Sequence, residues 1–167
     1  MKVDSLQDVL MHELNDLYSA EDQLVEALPQ MAEAASNTEL RNAFQEHLEE
    51  TRGHRERIQQ IFGDLGKRRT GMECEGMKAL ISEGESIIKS SGDAAAKDAA
   101  LIGAAQRVEH YEIAAYGTAR TLAGELQLIE AETLLDQTLD EEARADKLLT
   151  KIATGGLMKA GVNEAAR

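Results

Sequence analysis

Tryptophan is absent, proline and cysteine occur once each, and aromatic residues make up only 3% of the chain. Each scarcity excludes something. A single cysteine, Cys74, rules out an intrachain disulfide. With one proline, long helices can run without interruption. Stretches that alternate with period two are few, so no strand is predicted. No apolar run reaches the roughly 20 residues a membrane helix needs. No signal-type leader opens the sequence, so a reducing cytoplasm is the expected compartment. Positive charge is short as well: 18 Lys and Arg stand against 31 Asp and Glu, a net charge of −13. Such a surplus repels nucleic acid and anionic membranes. It suits a soluble protein or one that gathers cations.

What remains is helix-forming. Ala, Leu, Glu, Gln and Lys dominate, apolar residues reach 43%, and 167 residues suffice for one domain with a sizeable core. A first helix is predicted from Asp4 or Ser5, its stripe running Leu6, Leu10, Leu17, Leu24, Leu28 and Met31, with a kink or early break at Pro29. Ser36-Asn37-Thr38 ends it and caps a second helix over about 38–62. A shorter helix over about 72–90 reads as a crossover, with Gly84 weakening its middle. A third long helix starts near Asp93 or Asp98 and reaches about Ala123. A fourth covers about Leu128 to Ala153, closed by Gly155-Gly156. The fold expected is therefore all-α, a four-helix bundle with a long crossover containing an additional short helix. Residues 1–154 form the bundle, and 155–167 form a tail or small docking segment.

Two hexads look like one device used twice. Glu49-Glu50-Thr51-Arg52-Gly53-His54 and Glu141-Glu142-Ala143-Arg144-Ala145-Asp146 both read Glu-Glu-x-Arg-x-(His/Asp). Each follows a lone carboxylate on the preceding helix, Glu21 and Glu112, at nearly the same distance. In an antiparallel hairpin, residues equidistant from the turn lie level. That places Glu21 between Glu50 and His54, and places Glu109 and Glu112 beside Glu142 and Asp146. Residues four apart differ by only about 40° around a helix, so each hexad can aim two ligands at one centre. Five carboxylates (Glu21, Glu50, Glu109, Glu112, Glu142), with Asp146 and the His54 imidazole, would then share one layer. Bare carboxylates in an apolar interior repel each other and pay heavily for desolvation. Arg52 and Arg144 point elsewhere on their helices, so two cations are the expected balance. Oxygen-rich ligation suits iron or manganese and argues against structural zinc.

Other residues read more plainly. Glu46, Glu49, Asp140 and Glu141 are expected on the solvated surface, as are His12 and His110. Glu13 is expected partly exposed or in a subunit contact. His47 is a donor to a ligand or a core histidine, the latter preferred. Either Tyr18 or Tyr116 could hydrogen-bond a ligand carboxylate, or both could simply pack. Tyr111 is ambiguous. Met11, Met31, Met72, Met77 and Met158 fill core or crossover. Cys74 is expected on the crossover helix as small apolar filler rather than a reactive thiol.

Leu17-Tyr18-Ser19-Ala20-Glu21-Asp22-Gln23-Leu24, His47-Leu48-Glu49-Glu50-Thr51, Asp98-Ala99-Ala100-Leu101-Ile102, Val108-Glu109-His110-Tyr111-Glu112-Ile113 and Thr138-Leu139 resemble the YciE/YciF family of ferritin-like proteins, over about residues 4–153. The resemblance implies a rubrerythrin- and ferritin-like bundle, a homodimer, an association with stress responses and a ferroxidase-type metal site. The wider di-iron class would make Glu21, Glu50, Glu112 and Glu142 primary ligands, with Glu50 and Glu142 bridging. The chain departs from that class. It offers Glu50-x-x-x-His54 in place of Glu-x-x-His on the second helix, and Asp146 where the fourth helix would carry histidine. Fewer nitrogen ligands favour the oxidised, harder metal.

The leading functional expectation is a di-metal carboxylate protein, di-iron first and manganese next, that oxidises iron or removes peroxide under stress. Whether it turns over as an enzyme is left open. The alternative is a structural or interaction module of stress assemblies, a dimeric bundle with incidental metal or none. A third reading is an acidic adaptor for a basic partner.

Overall fold

The computed structural model describes residues 3–156 and 159–167. Five substantial helices follow in order: α1 (Leu6–Ala34), α2 (Thr38–Asp64), α3 (Glu75–Ile88), α4 (Ala94–Glu125) and α5 (Ile129–Thr154). A two-residue antiparallel pair, β1 (Gly155–Gly156) with β2 (Lys159–Ala160), and a single-turn α6 (Val162–Ala165) complete the chain. The fold is all-α and bundled. The tiny strand pair was not predicted, because two residues per strand leave no periodicity to detect. Met158 lies outside the described residues.

Local chemistry sets the helix ends. Ser5 Oγ accepts from the Asp8 amide, Asn37 Oδ1 from Glu39 and Leu40, and Asp93 Oδ1 from Ala96. Each satisfies donors that a helix start leaves orphaned. Of the two candidate starts for α4, Asp93 is thus the cap. Asp98 has another task. Buried on α4, it accepts from the Ser36 amide, the Ser36 hydroxyl and the Asn37 amide, and so pins the α1–α2 turn to α4. Helix α1 does not break at Pro29. Leu24, Leu28 and Ala32 are buried on both sides of it, and that packing outweighs one lost backbone hydrogen bond. At the far end of α5, Gly155 takes φ +73°, which a side chain would strain.

Helices α1 and α2 form one hairpin and α4 and α5 another. The two pack through α1 on α4 and α2 on α5. The apolar core falls into two clusters. One gathers Leu24, Leu28, Leu40, Phe44, Leu101, Ile102, Leu149 and Ile152. The other gathers Leu10, Leu14, Leu17, Ile58, Ile61, Tyr116, Ala119 and Leu135. Each long helix contributes to both, so α1 and α5 run one way and α2 and α4 the other. Helix α2 therefore ends at the opposite end of the bundle from where α4 begins. At about 1.5 Å per residue, a 27-residue helix is ~40 Å long. A short loop cannot return that far, and α3 bridges the gap, packing on α1 and α4. Short α6 rests on α4 and α5, with Val162 buried in the first cluster.

Candidate metal centre

Between the two apolar clusters lies a polar layer. Glu21 (α1), His47, Thr51 and His54 (α2), Glu109 and Glu112 (α4), and Thr138 and Glu142 (α5) are all buried. His47, Thr51 and His54 recur at four and three residues, one face of a helix. Thr51 itself takes no part in the acid chemistry, since its hydroxyl donates back to the His47 carbonyl.

The layer contains two ligand groups joined by one carboxylate. His47, Glu109, Glu112 and Glu142 offer donor atoms within 4.8 Å of one another, and so do Glu21, His54 and Glu142. His47 Nε2 lies 3.4 Å from Glu109 Oε1 and 3.8 Å from Glu142 Oε2. His54 Nδ1 lies 2.9 Å from Glu142 Oε1 and 3.5 Å from Glu21 Oε1. Despite the short approach to Glu142, His54 Nδ1 makes no hydrogen bond, so direction rather than distance fails there. Glu21 Oε2, both His47 nitrogens, Glu109 Oε2 and both oxygens of Glu112 and Glu142 are also unpartnered. Orphaned buried polar atoms are rare and costly, and here they converge.

The supports around the layer are well bonded. The Tyr116 hydroxyl donates to Glu21 Oε1. His54 turns Nε2 outward to Glu141 Oε2 at 3.0 Å, while Arg57 holds Glu141 through Nη1 at 2.5 Å and Nη2 at 3.0 Å. Arg57 Nη1 also donates to Thr138 Oγ1 at 3.0 Å. If Nε2 carries the ring proton and gives it to Glu141, Nδ1 faces Glu21 and Glu142 as a free donor pair.

Burial and crowding distort the acid–base behaviour. Desolvation pushes Glu21, Glu109 and Glu112 above the usual carboxylate range, and neighbouring carboxylates push Glu109 and Glu112 further. Burial would raise Glu142 too, but His54 and His47 outweigh it and hold it low. Burial would lower both imidazoles. Glu109, Glu50 and Glu142 outweigh that at His47 and lift it to about 9; Glu21 and Glu142 do so at His54 and lift it to about 11. Without a cation, the layer balances itself by sharing protons among acids and imidazoles.

Five of the seven expected ligands, Glu21, His54, Glu109, Glu112 and Glu142, meet in this layer. The other two lie outside it. The Glu50 side chain is 41% exposed and lies 3.6 Å from His47 Nδ1 of its own helix. The inward face of α2 is centred on Thr51, and Glu50 sits about 100° around from it. Asp146, half-buried, turns aside to accept from Gln106 Nε2 at 2.9 Å, while Leu149 takes the buried position on α5. His47, preferred as an ordinary core histidine, is buried but aims its ring into the acids. Its signal was present in the sequence, since seven residues before His54 is two turns on the same face. Glu141, expected on the surface, is instead the anchor of His54, and no sequence pattern links Arg57 to it across two helices. Of the two tyrosines, Tyr116 bonds a ligand carboxylate, whereas Tyr18 lies beneath the Arg69 guanidinium at 3.7 Å. Tyr111 donates to Asp16 Oδ2 at 2.5 Å and lies 3.0 Å from Cys74 Sγ. Cys74 precedes α3 as its N-cap, and its buried thiol is pushed up in pKa, away from thiolate reactivity.

This chain resembles proteins already described. A family model, a domain of unknown function (DUF892), matches residues 5–166. Protein YciF of Escherichia coli (strain K12) is 45% identical over 166 residues, spanning 99% of this chain and 100% of YciF. The protein belongs to the YciF family. A crystal structure of the E. coli stress protein YciF superposes with a TM-score of 0.90 at 46% identity, covering 94% of this chain and 99% of that one. YcfI from Rhodopseudomonas palustris, for which a structural role has been suggested, superposes at 0.87 with 39% identity, over 91% and 97% of the two chains. Among the described residues of this YciF-family chain, no helix is long and apolar enough to cross a membrane.

Proposed function

We propose that this YciF-family protein holds two cations, iron first and manganese next, in the layer between its two apolar clusters. The observation that carries the reading is the convergence of unpartnered buried oxygens and imidazole nitrogens from four helices. His47, Glu109, Glu112 and Glu142 would hold one ion; Glu21, His54 and Glu142 would hold the other, with Glu142 shared. Four carboxylates carry four negative charges when ionised, and two divalent ions balance them. The donor set is mostly carboxylate oxygen with one imidazole per group, a fit for hard or borderline cations. A bound iron pair supplies electron transfer to dioxygen or peroxide, which suits a ferroxidase-type or peroxide-removing role in stress.

The chain's own residues prepare the site. Tyr116 keeps its proton, because burial and the nearby Glu21 and Glu112 raise it well above an ordinary phenol, and it fixes Glu21. Arg57 and Glu141 orient His54. A cleft of about 280 Å³ between α2 and α5, lined by Glu46, Glu50 and Arg144, reaches His47 and Glu109. Glu50 at its mouth is placed to capture a cation before the buried donors take it. The family resemblance adds the expectation of a homodimer, and the sequence that of a cytoplasmic location.

Metal analysis of protein purified without added iron, followed by anaerobic Fe(II) titration, tests the reading. The expected result is about two ions per chain, lost in the Glu112→Ala/Glu142→Ala double variant. The suggestion of a structural role for YcfI favours a second reading, a bundle whose acids only share protons. Metal content no higher in the wild type than in the double variant would select it.

A further inference from the structure

Crossover helix α3 covers a second way into the same layer. A cavity of about 40 Å³ lies between α1, α3 and α4, walled by Leu28, Met31, Ile81, Gly84, Ala105 and Val108. Its inner end is formed by His47 and Glu109, the buried pair at the edge of the layer, and its outer end by Gln30 and Glu85. Along its hydrocarbon walls water finds no partners, so that stretch favours an apolar occupant, and polar groups are met at its two ends. The cleft between α2 and α5 differs in kind, since carboxylates and a guanidinium line it.

Gly84 is the unusual wall residue. It lies buried in the middle of α3, where glycine is the poorest helix former after proline. No turn demands it, since its φ is not positive. Nor does a close neighbour, since a Cβ there would meet only Met31 Sδ, at an ordinary 3.6 Å. What its missing side chain leaves is space, on the cavity side.

We propose that this cavity binds one small apolar molecule of the dioxygen class and delivers it to the His47–Glu109 edge of the layer, separately from the polar cleft. The binding claim stands on the cavity; the delivery claim rests on the metal reading above. The two can fail independently. Crystals of metal-free protein pressurised with xenon should show one xenon between Met31, Gly84 and Ala105. The site should disappear in Gly84→Leu, or in Ala105→Val if the first variant does not fold. A xenon-free cavity in the wild type overturns the proposal whether or not iron binds. With Fe(II) loaded to equal occupancy, Gly84→Leu should slow oxidation by dioxygen several-fold and leave oxidation by hydrogen peroxide, a polar molecule suited to the cleft, unchanged. Equal rates with dioxygen, or equal slowing with both oxidants, overturn delivery. If the wild type takes up no Fe(II), the metal reading and delivery fall together, and xenon alone decides the binding site.

Discussion

Glu112 illustrates how a residue's worth depends on what it faces. It is fully buried, neither oxygen has a hydrogen bond, and Glu142, Glu21 and Glu109 surround it. In the metal-free protein it is a burden. Glu112→Leu should stabilise that form by about 1–3 kcal/mol, as replacing buried polar groups by hydrocarbon often does. It should also abolish uptake at the His47 group. Denaturant titration in chelator, beside metal analysis, checks both arms. Arg57 acts in the opposite sense. Arg57→Ala strips Glu141 of its bidentate partner and leaves His54 held by a carboxylate that is itself adrift. A loss of about 1–2 kcal/mol is expected, with weakened binding at the Glu21–His54 group, read by titration against wild type. His47 and His54 were both visible in the sequence, but only His54 lay inside a repeated hexad. Glu50 belonged to that hexad and still missed the layer, because a 100° step on a helix separates ligand from rim.

At the scale of elements, caps and turns decide more than composition does. Asp98→Ala would free two amides and a hydroxyl at the α1–α2 turn, a predicted cost of about 2–3 kcal/mol with metal content unaltered. The α4–α5 turn holds a different strain. Gln127 takes φ 58° while its amide bonds Gly124 O and the Leu128 amide bonds Ala123 O, an arrangement that glycine usually serves. Gln127→Gly should raise stability by about 0.5–1 kcal/mol, net of the entropy glycine adds to the unfolded chain, and thermal melting would show it. Helix limits were legible to within a few residues because Ser5, Asn37 and Asp93 are side-chain caps with local partners. The Asp98 bridge was not legible, since its partners lie 61 and 62 residues away in sequence.

For the molecule as a whole, the buried layer makes stability depend on pH and on metal in opposite directions. His47 and His54 sit above their ordinary 6.5 when folded, so what they contribute is complete below that value and lost as pH rises through about 9 and 11. Glu109 and Glu112 are raised above 4.5, so the fold retains their protons and stability falls as pH climbs past 4.5. Glu142 is lowered, and its contribution disappears only on acidification below 4.5. Metal-free protein should therefore melt highest near pH 5 and progressively lower toward pH 9. Metal-loaded protein should reverse that trend over the same range, because cations displace the shared protons. Melting curves with and without chelator across pH 5–9 test this, and parallel trends would contradict a metal-filled layer.

The one-dimensional pattern was enough for the helices, their caps, the need for a long return between the two hairpins, and the height at which four apolar stripes give way to acids. These follow from periodicity and counting, which act along one chain. Tertiary packing alone chose the inward members of each hexad, paired Glu141 with His54 and Arg57, and hollowed the space beside Gly84. Those outcomes depend on how far each helix is rotated against its neighbours. A shift of one residue turns a side chain through 100°, and nothing local to a single helix sets that rotation.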